Sequence, residues 1–214
     1  MDDWKDALFR EDTLWAVYCQ SPGLKGRSFN WYTAIGTFVL LAGFVVLDQC
    51  FFAQATPVID YAAIVRSWAS IGFGFSSAIL GFLLAGFTVF ATITKPRLFV
   101  VLAQAENELS GLSELKHVFF SFLNVFSHYL SFLTLTLLIN MVGDKGGIAS
   151  KIASLVTPYV PALDESIPVI LFVVVGTWMI ILVLKLKSFL WSVYQAVLLS
   201  VAHEAQRIGD EEED

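Results

Sequence analysis

Residues Trp68–Thr94 read WASIGFGFSSAILGFLLAGFTVFATIT, 27 consecutive positions without a charged side chain, lying between Arg66 and Lys95. As an α-helix rising 1.5 Å per residue, this stretch is about 40 Å long, more than the roughly 30 Å hydrocarbon core of a bilayer. Lipid offers no partner to backbone N–H and C=O groups, and a lone segment satisfies all of them only as a helix. The stretch therefore predicts a transmembrane helix.

Three further apolar blocks repeat the pattern. Trp31–Phe52 opens on Trp31 and Tyr32, placed where an aromatic belt sits at the membrane surface. Val118–Val142 is uncharged apart from His128, and residues 168–190 open on Pro168, a favoured first helical residue. Hydrophobic residues make up 57% of the chain, charged residues 15%, and the mean hydropathy is +0.71. A soluble domain runs closer to half apolar and a quarter charged, so one protein core does not account for the excess. A β-barrel needs alternating segments of about ten residues, which are absent. The expected fold is all-α. Four membrane helices lie within residues 29–203, flanked by a cytoplasmic segment, 1–28, and an acidic, solvated tail, 204–214.

Lys and Arg set the expected orientation. Lys5, Arg10, Lys25 and Arg27 precede span one; Lys95, Arg97 and Lys116 lie between spans two and three; Lys185, Lys187 and Arg207 follow span four. The other two loops hold only Arg66, Lys145 and Lys151. The excess on one side predicts both termini in the cytoplasm, in an inner-membrane, multi-pass arrangement. The acidic start, with Asp2, Asp3, Asp6, Glu11 and Asp12, is the opposite of a cleavable signal's basic leader.

The cytoplasmic parts read as helical. Trp4, Leu8, Trp15 and Tyr18 among acids suggest an amphipathic helix over residues 2–19, broken at Ser21-Pro22-Gly23. After Pro96, a short helix carries Leu98, Val101, Leu102, Ala105 and Leu109 along one side. Span four is expected to continue from Pro168 to His203, about 54 Å, with Lys185 and Lys187 snorkelling toward the cytoplasmic surface. For the loop 143–166 a surface-lying helix is the first expectation and a re-entrant segment the alternative.

Two helical faces carry the candidate functional residues. In span two, Ser70, Gly74, Ser77, Gly81, Ala85, Thr88 and Thr92 recur every three or four positions and share one face. Small residues let helix backbones approach closely in lipid. The face serves either packing within the chain, a subunit interface, or a pore lining. In span three, His117, Ser121, Asn124, His128 and Ser131 form a polar stripe reaching about 21 Å along the helix. Such side chains pair across helices as structural ties, or else line a hydrated vestibule in which His128 changes charge near neutral pH. Lys95, Arg97, Lys185 and Lys187 form the basic flank.

Other chemistry is not indicated. Asp48, near the outer end of span one, is the only acid inside a span, whereas a coupled transporter needs carboxylates near the midplane. Cys19 and Cys50 fall on opposite sides of the membrane and have no metal-ligand neighbours. His117, His128 and His203 are too scattered for a zinc motif, and neither a nucleophile elbow nor a phosphate-cradling glycine loop occurs. No metal, cofactor, nucleic-acid partner or enzymatic activity is expected.

The stretch Ser76–Phe99, SSAILGFLLAGFTVFATITKPRLF, is a small-residue span ending in a basic Lys-Pro-Arg turn. With the four-span architecture it resembles the small membrane subunits of bacterial anti-phage defence systems, the Kiwa-type and CRISPR-accessory membrane components. The resemblance implies a homo-oligomer that perturbs the membrane or docks a cytoplasmic partner. The leading expectation is a homo-oligomeric channel or membrane-perturbing effector. The rivals are a non-conducting anchor or sensor that recruits a cytoplasmic protein, and a small transporter.

Overall fold

The computed structural model describes residues 28–52, 59–93, 96–105, 113–143, 147 and 162–213. Their regular elements are all helical: α1, Ser28–Leu47; α2, Tyr61–Ile93; α3, Pro96–Gln104; α4, Glu114–Val142; and α5, Ala162–Glu213. A π-helical turn, Asp48–Phe52, closes α1. Four stretches are long and apolar enough to cross a membrane: Asn30–Phe51, Tyr61–Val89, Glu114–Val142 and Ser166–Gln195. The chain is an all-α, multi-pass membrane protein. Residues 2–19, Ser21-Pro22-Gly23 and most of the loop 143–166, for which helices and a break are expected, lie outside the described residues, as do Cys19 and Lys95.

The helix ends depart from the apolar blocks, and each departure has a local cause. Helix α2 starts seven residues before Trp68 and takes in Arg66. Asp60 caps it, its Oδ1 accepting the Ala63 N–H at 2.9 Å. Helix α4 starts at Glu114 because Ser113 caps it in the same way, its Oγ accepting the Lys116 N–H at 3.4 Å. It ends at Val142, where the Gly143 N–H returns to the Ile139 carbonyl at 2.8 Å. A Cβ on Gly143 would lie 2.5 Å from that same oxygen. Arg66 Nη1 donates to the Gly143 carbonyl at 3.3 Å and so satisfies one orphan acceptor of the α4 terminus.

Helix α5 corrects the expectation for span four. It begins six residues before Pro168 and runs unbroken through it to Glu213, 52 residues or about 78 Å. Pro168 sits in the second turn, so the missing N–H costs one backbone bond near an end where four donors are unpaired in any case. The acidic stretch from 204 continues the same helix rather than leaving it. Gly209 is the only helix-disfavouring residue there, at about 1 kcal/mol.

The chain divides into two compact units. Residues 27–81 and 128–183 form one, with a core of Val45, Tyr61, Val65, Phe172 and Val173 supported by Leu41, Trp68 and Ile139. Trp68 stacks on Phe172 at 4.7 Å, and Tyr61 meets the same ring edge-on at 5.3 Å. Two glycines permit the closest helix approaches. A Cβ on Gly176 would lie 2.7 Å from Trp68 Cζ3 and 2.8 Å from Leu41 Cδ1, and one on Gly72 would lie 2.8 Å from Phe132 Cε1. The Tyr61 hydroxyl donates to Asp48 Oδ2 at 2.6 Å, tying α2 to the π turn.

Residues 82–127 and 184–214, grouped with 1–26, form the other unit. Phe87 stacks on Phe122 at 4.5 Å and meets Phe119 edge-on at 5.4 Å, while Phe122 lies 5.9 Å from Phe189. These rings join α2, α4 and α5. Leu102 and Ala103 of α3 are buried with Leu115, against Phe99 and Phe119, and Ala105 accepts the Glu114 N–H at 2.8 Å. Of the apolar side expected for α3, Leu102 is buried and Ala105 half-buried; the side chains of Leu98 and Val101, and Leu109 itself, lie outside the described residues.

Replacing Gly176 with Ala forces a methyl against an indole already held by Phe172. The expected loss is about 1–3 kcal/mol, the range for overpacking a filled core. At Gly74, where a Cβ meets nothing within 4 Å, the same change leaves the protein's unfolding midpoint unchanged or slightly higher. Thermal unfolding in detergent, followed by tryptophan fluorescence, compares the two variants.

Candidate functional site

Helix α4 presents the polar stripe to the protein interior along part of its length. His117, Ser121 and Asn124 are buried, His128 is half-buried, and Ser131 is exposed. The stripe thus turns outward at its far end, because residues 117 to 131 follow the helical period while the neighbours that cover them change.

Its principal partner is a lysine. Lys185 Nζ donates to Asn124 Oδ1 at 2.5 Å, joining α5 to α4. Lys185 is 8% exposed and Asn124 6%. Lys185 therefore does not snorkel, while Lys187, two positions on and about 200° around the helix, is exposed. The reason is visible in the sequence. Phe172, Val175, Leu182 and Lys185 recur at intervals of three, seven and three and form the buried side of α5, so Lys185 occupies a core position. Lys116 is also buried, with its ammonium 5.3 Å above the Phe120 ring, a cation–π contact. The side chain of Arg97 lies outside the described residues.

Further polar groups occur in the unit of residues 27–81 and 128–183. Tyr129, fully buried, donates its hydroxyl to the Leu182 carbonyl at 3.2 Å. Ser76 Oγ and Thr177 Oγ1 are buried without a hydrogen-bond partner. Sequence reading missed all three. Tyr129 passes for an aromatic core residue, Ser76 sits beside the small face instead of on it, and Thr177 stands alone in an apolar run.

The small-residue face of α2 has the opposite character. Ser70, Gly74, Ser77, Gly81, Ala85, Thr88 and Thr92 are all exposed, so packing among the described residues does not use this face. Thr88 and Thr92 return their hydroxyls to the Leu84 and Thr88 carbonyls of their own helix, each at 2.9 Å. Ser70 and Ser77 make no hydrogen bond. Asp48, the one acid expected inside a span, is held by Tyr61 as described above.

Among the described residues, no three His, Cys, Asp or Glu side chains are grouped to hold a metal ion. No protein-family model, curated protein or solved structure matches the chain. The functional reading therefore rests on the chain's own geometry.

Substituting Asn124 by Leu strands the Lys185 ammonium without its acceptor, at an expected cost of about 3 kcal/mol. Lys185→Met removes the charge along with the donor and keeps the volume, so it is expected to be tolerated much better. Unfolding midpoints of the two variants and of the double variant in detergent check the coupling, with the double variant resembling Lys185→Met.

Proposed function

We propose that this chain is the subunit of a homo-oligomeric inner-membrane protein that acts as a channel or membrane-perturbing effector. One observation carries the reading: a face of α2 made of small and hydroxyl residues is left exposed by the other described residues. Lipid is a poor complement to such a face, since chains of methylene groups leave its shallow groove unfilled. A second helix fills it, and small residues are the ones that permit close backbone approach in membranes. Ser70 and Ser77 add free hydroxyls, which favour a polar partner or water over acyl chains. The rest of the surface is suited to lipid: Ile35, Phe38, Val39, Leu40 and Phe44 of α1 and Ile170, Val174 and Val183 of α5 are exposed. A role in anti-phage defence is the setting that the resemblance to defence-system membrane subunits suggests.

A second reading, a non-conducting anchor that recruits a soluble protein, is favoured by one feature. Helix α5 continues 18 residues beyond Gln195, the end of its membrane-compatible stretch, about 27 Å of helix available to a partner.

Leu in place of Gly81 or Ser77 is expected to lower the oligomer number in native mass spectrometry and to abolish ion flux from proteoliposomes. Unchanged mass in both variants sinks the proposed interface. A wild-type oligomer without flux, co-purifying with a cytosolic protein, supports the anchor instead.

Both termini are proposed to be cytoplasmic, as the distribution of Lys and Arg favours. Cys50 is free and exposed, so in a Cys19→Ser variant a membrane-impermeant maleimide added to spheroplasts should label Cys50 without lysis. Labelling only after lysis reverses the orientation.

A further inference from the structure

We propose that Lys185, with the Ser121 and Asn124 face of α4, binds a single monovalent anion inside the unit formed by residues 82–127 and 184–214. The inference is independent of oligomeric state and of conduction.

An ammonium has three donors and no acceptor. Lys185 is more than nine-tenths buried, and among the described residues its hydrogen-bond acceptor is the neutral Asn124 amide. An amide orients the charge without neutralising it. Carrying an ammonium out of water costs several kcal/mol even after relaxation, and an opposite charge is what ordinarily offsets this. Among the described residues the surroundings supply no such charge. In this unit the only acid with a described side chain is Glu114, half-buried at the start of α4, ten residues and about 15 Å of rise from Asn124.

A donor lies beside the amide instead. Ser121 lies one turn from Asn124 on the same face, is 7% exposed, and makes no hydrogen bond. Its hydroxyl is a free donor beside the ammonium's acceptor. His117, one turn beyond Ser121 along the helix, is also buried. A buried cation and a free hydroxyl, with no carboxylate against them among the described residues, suit an anion of one negative charge. A halide has that chemistry, as does the phosphodiester of an acidic phospholipid, since basic pockets between membrane helices take up lipid headgroups.

The test uses the full-length protein, delipidated in detergent and buffered in sodium gluconate. At constant ionic strength, replacing gluconate by chloride or bromide should raise the unfolding midpoint by several degrees and saturate, as linkage requires of a ligand bound only by the folded state. In a second arm the protein sits in chloride-free nanodiscs of zwitterionic lipid, with or without phosphatidylglycerol. Stabilisation in the first arm identifies a halide, and in the second a headgroup. Asn124→Asp supplies an internal carboxylate to Lys185 and should abolish the response in a protein that still folds; Lys185→Met should abolish it by removing the cation. Identical midpoints in every anion and lipid overturn the proposal. So does a wild-type response retained by Asn124→Asp.

Discussion

A peptide group inside a bilayer has no solvent with which to bond, and this constraint shapes every described element. Each crossing segment closes its own hydrogen bonds as a helix. What is left over concentrates at helix ends, where four donors or four acceptors are orphaned. The protein answers with local devices: Asp60 and Ser113 at the starts of α2 and α4, and Gly143 with Arg66 at the end of α4. The hydroxyls of Thr37, Thr88, Thr92 and Thr134 follow the same logic, each bonding to a carbonyl of its own helix four residues back.

Once the backbone is satisfied, apolar side chains gain little by leaving lipid for protein, so close fit has to hold the helices together. The glycines show where the fit is tight. Gly72 and Gly176 face rings of neighbouring helices at distances no methyl tolerates, whereas Gly36, Gly43, Gly74, Gly81 and Gly86 face open space. Two populations of glycine thus occur in one chain. Gly72 and Gly176 set the spacing of helices within the chain, whereas Gly74 and Gly81 have no such duty there.

Much of this was legible in the sequence, because charge-free runs and helical spacing are direct statements about lipid and about faces. The four spans, the shared face of the α2 small residues and the interior direction of His117, Ser121 and Asn124 all follow from those two signals. The span limits did not follow, since charge marks where lipid ends but not where a helix ends. Arg66 and Glu114 lie inside helices that caps at Asp60 and Ser113 begin, and Pro168 is carried within α5. Lys185 was misplaced for a related reason. A lysine near the end of an apolar block reads as a flank, and only the intervals from Phe172 through Leu182 show that it points inward. Which helix covers a given face depends on the other helices, so the exposure of the α2 face was open until the packing was known.

The contrast between α4 and α2 bears on what the polar residues do. Along α4 the buried groups are drawn into the chain's own packing, where Asn124 meets Lys185 and Tyr129 meets the Leu182 carbonyl. Removing such groups disturbs the fold itself. Along α2 Ser70 and Ser77 are exposed, and their hydroxyls make no hydrogen bond among the described residues. Nothing in the described packing requires their polarity, since Ala or Gly would serve as well at an exposed small-residue position. On the proposed reading they meet something outside the chain that accepts or donates a hydrogen bond, which a neighbouring subunit or water does and an acyl chain does not. That difference is the physical ground for proposing that the α2 face turns toward protein or water.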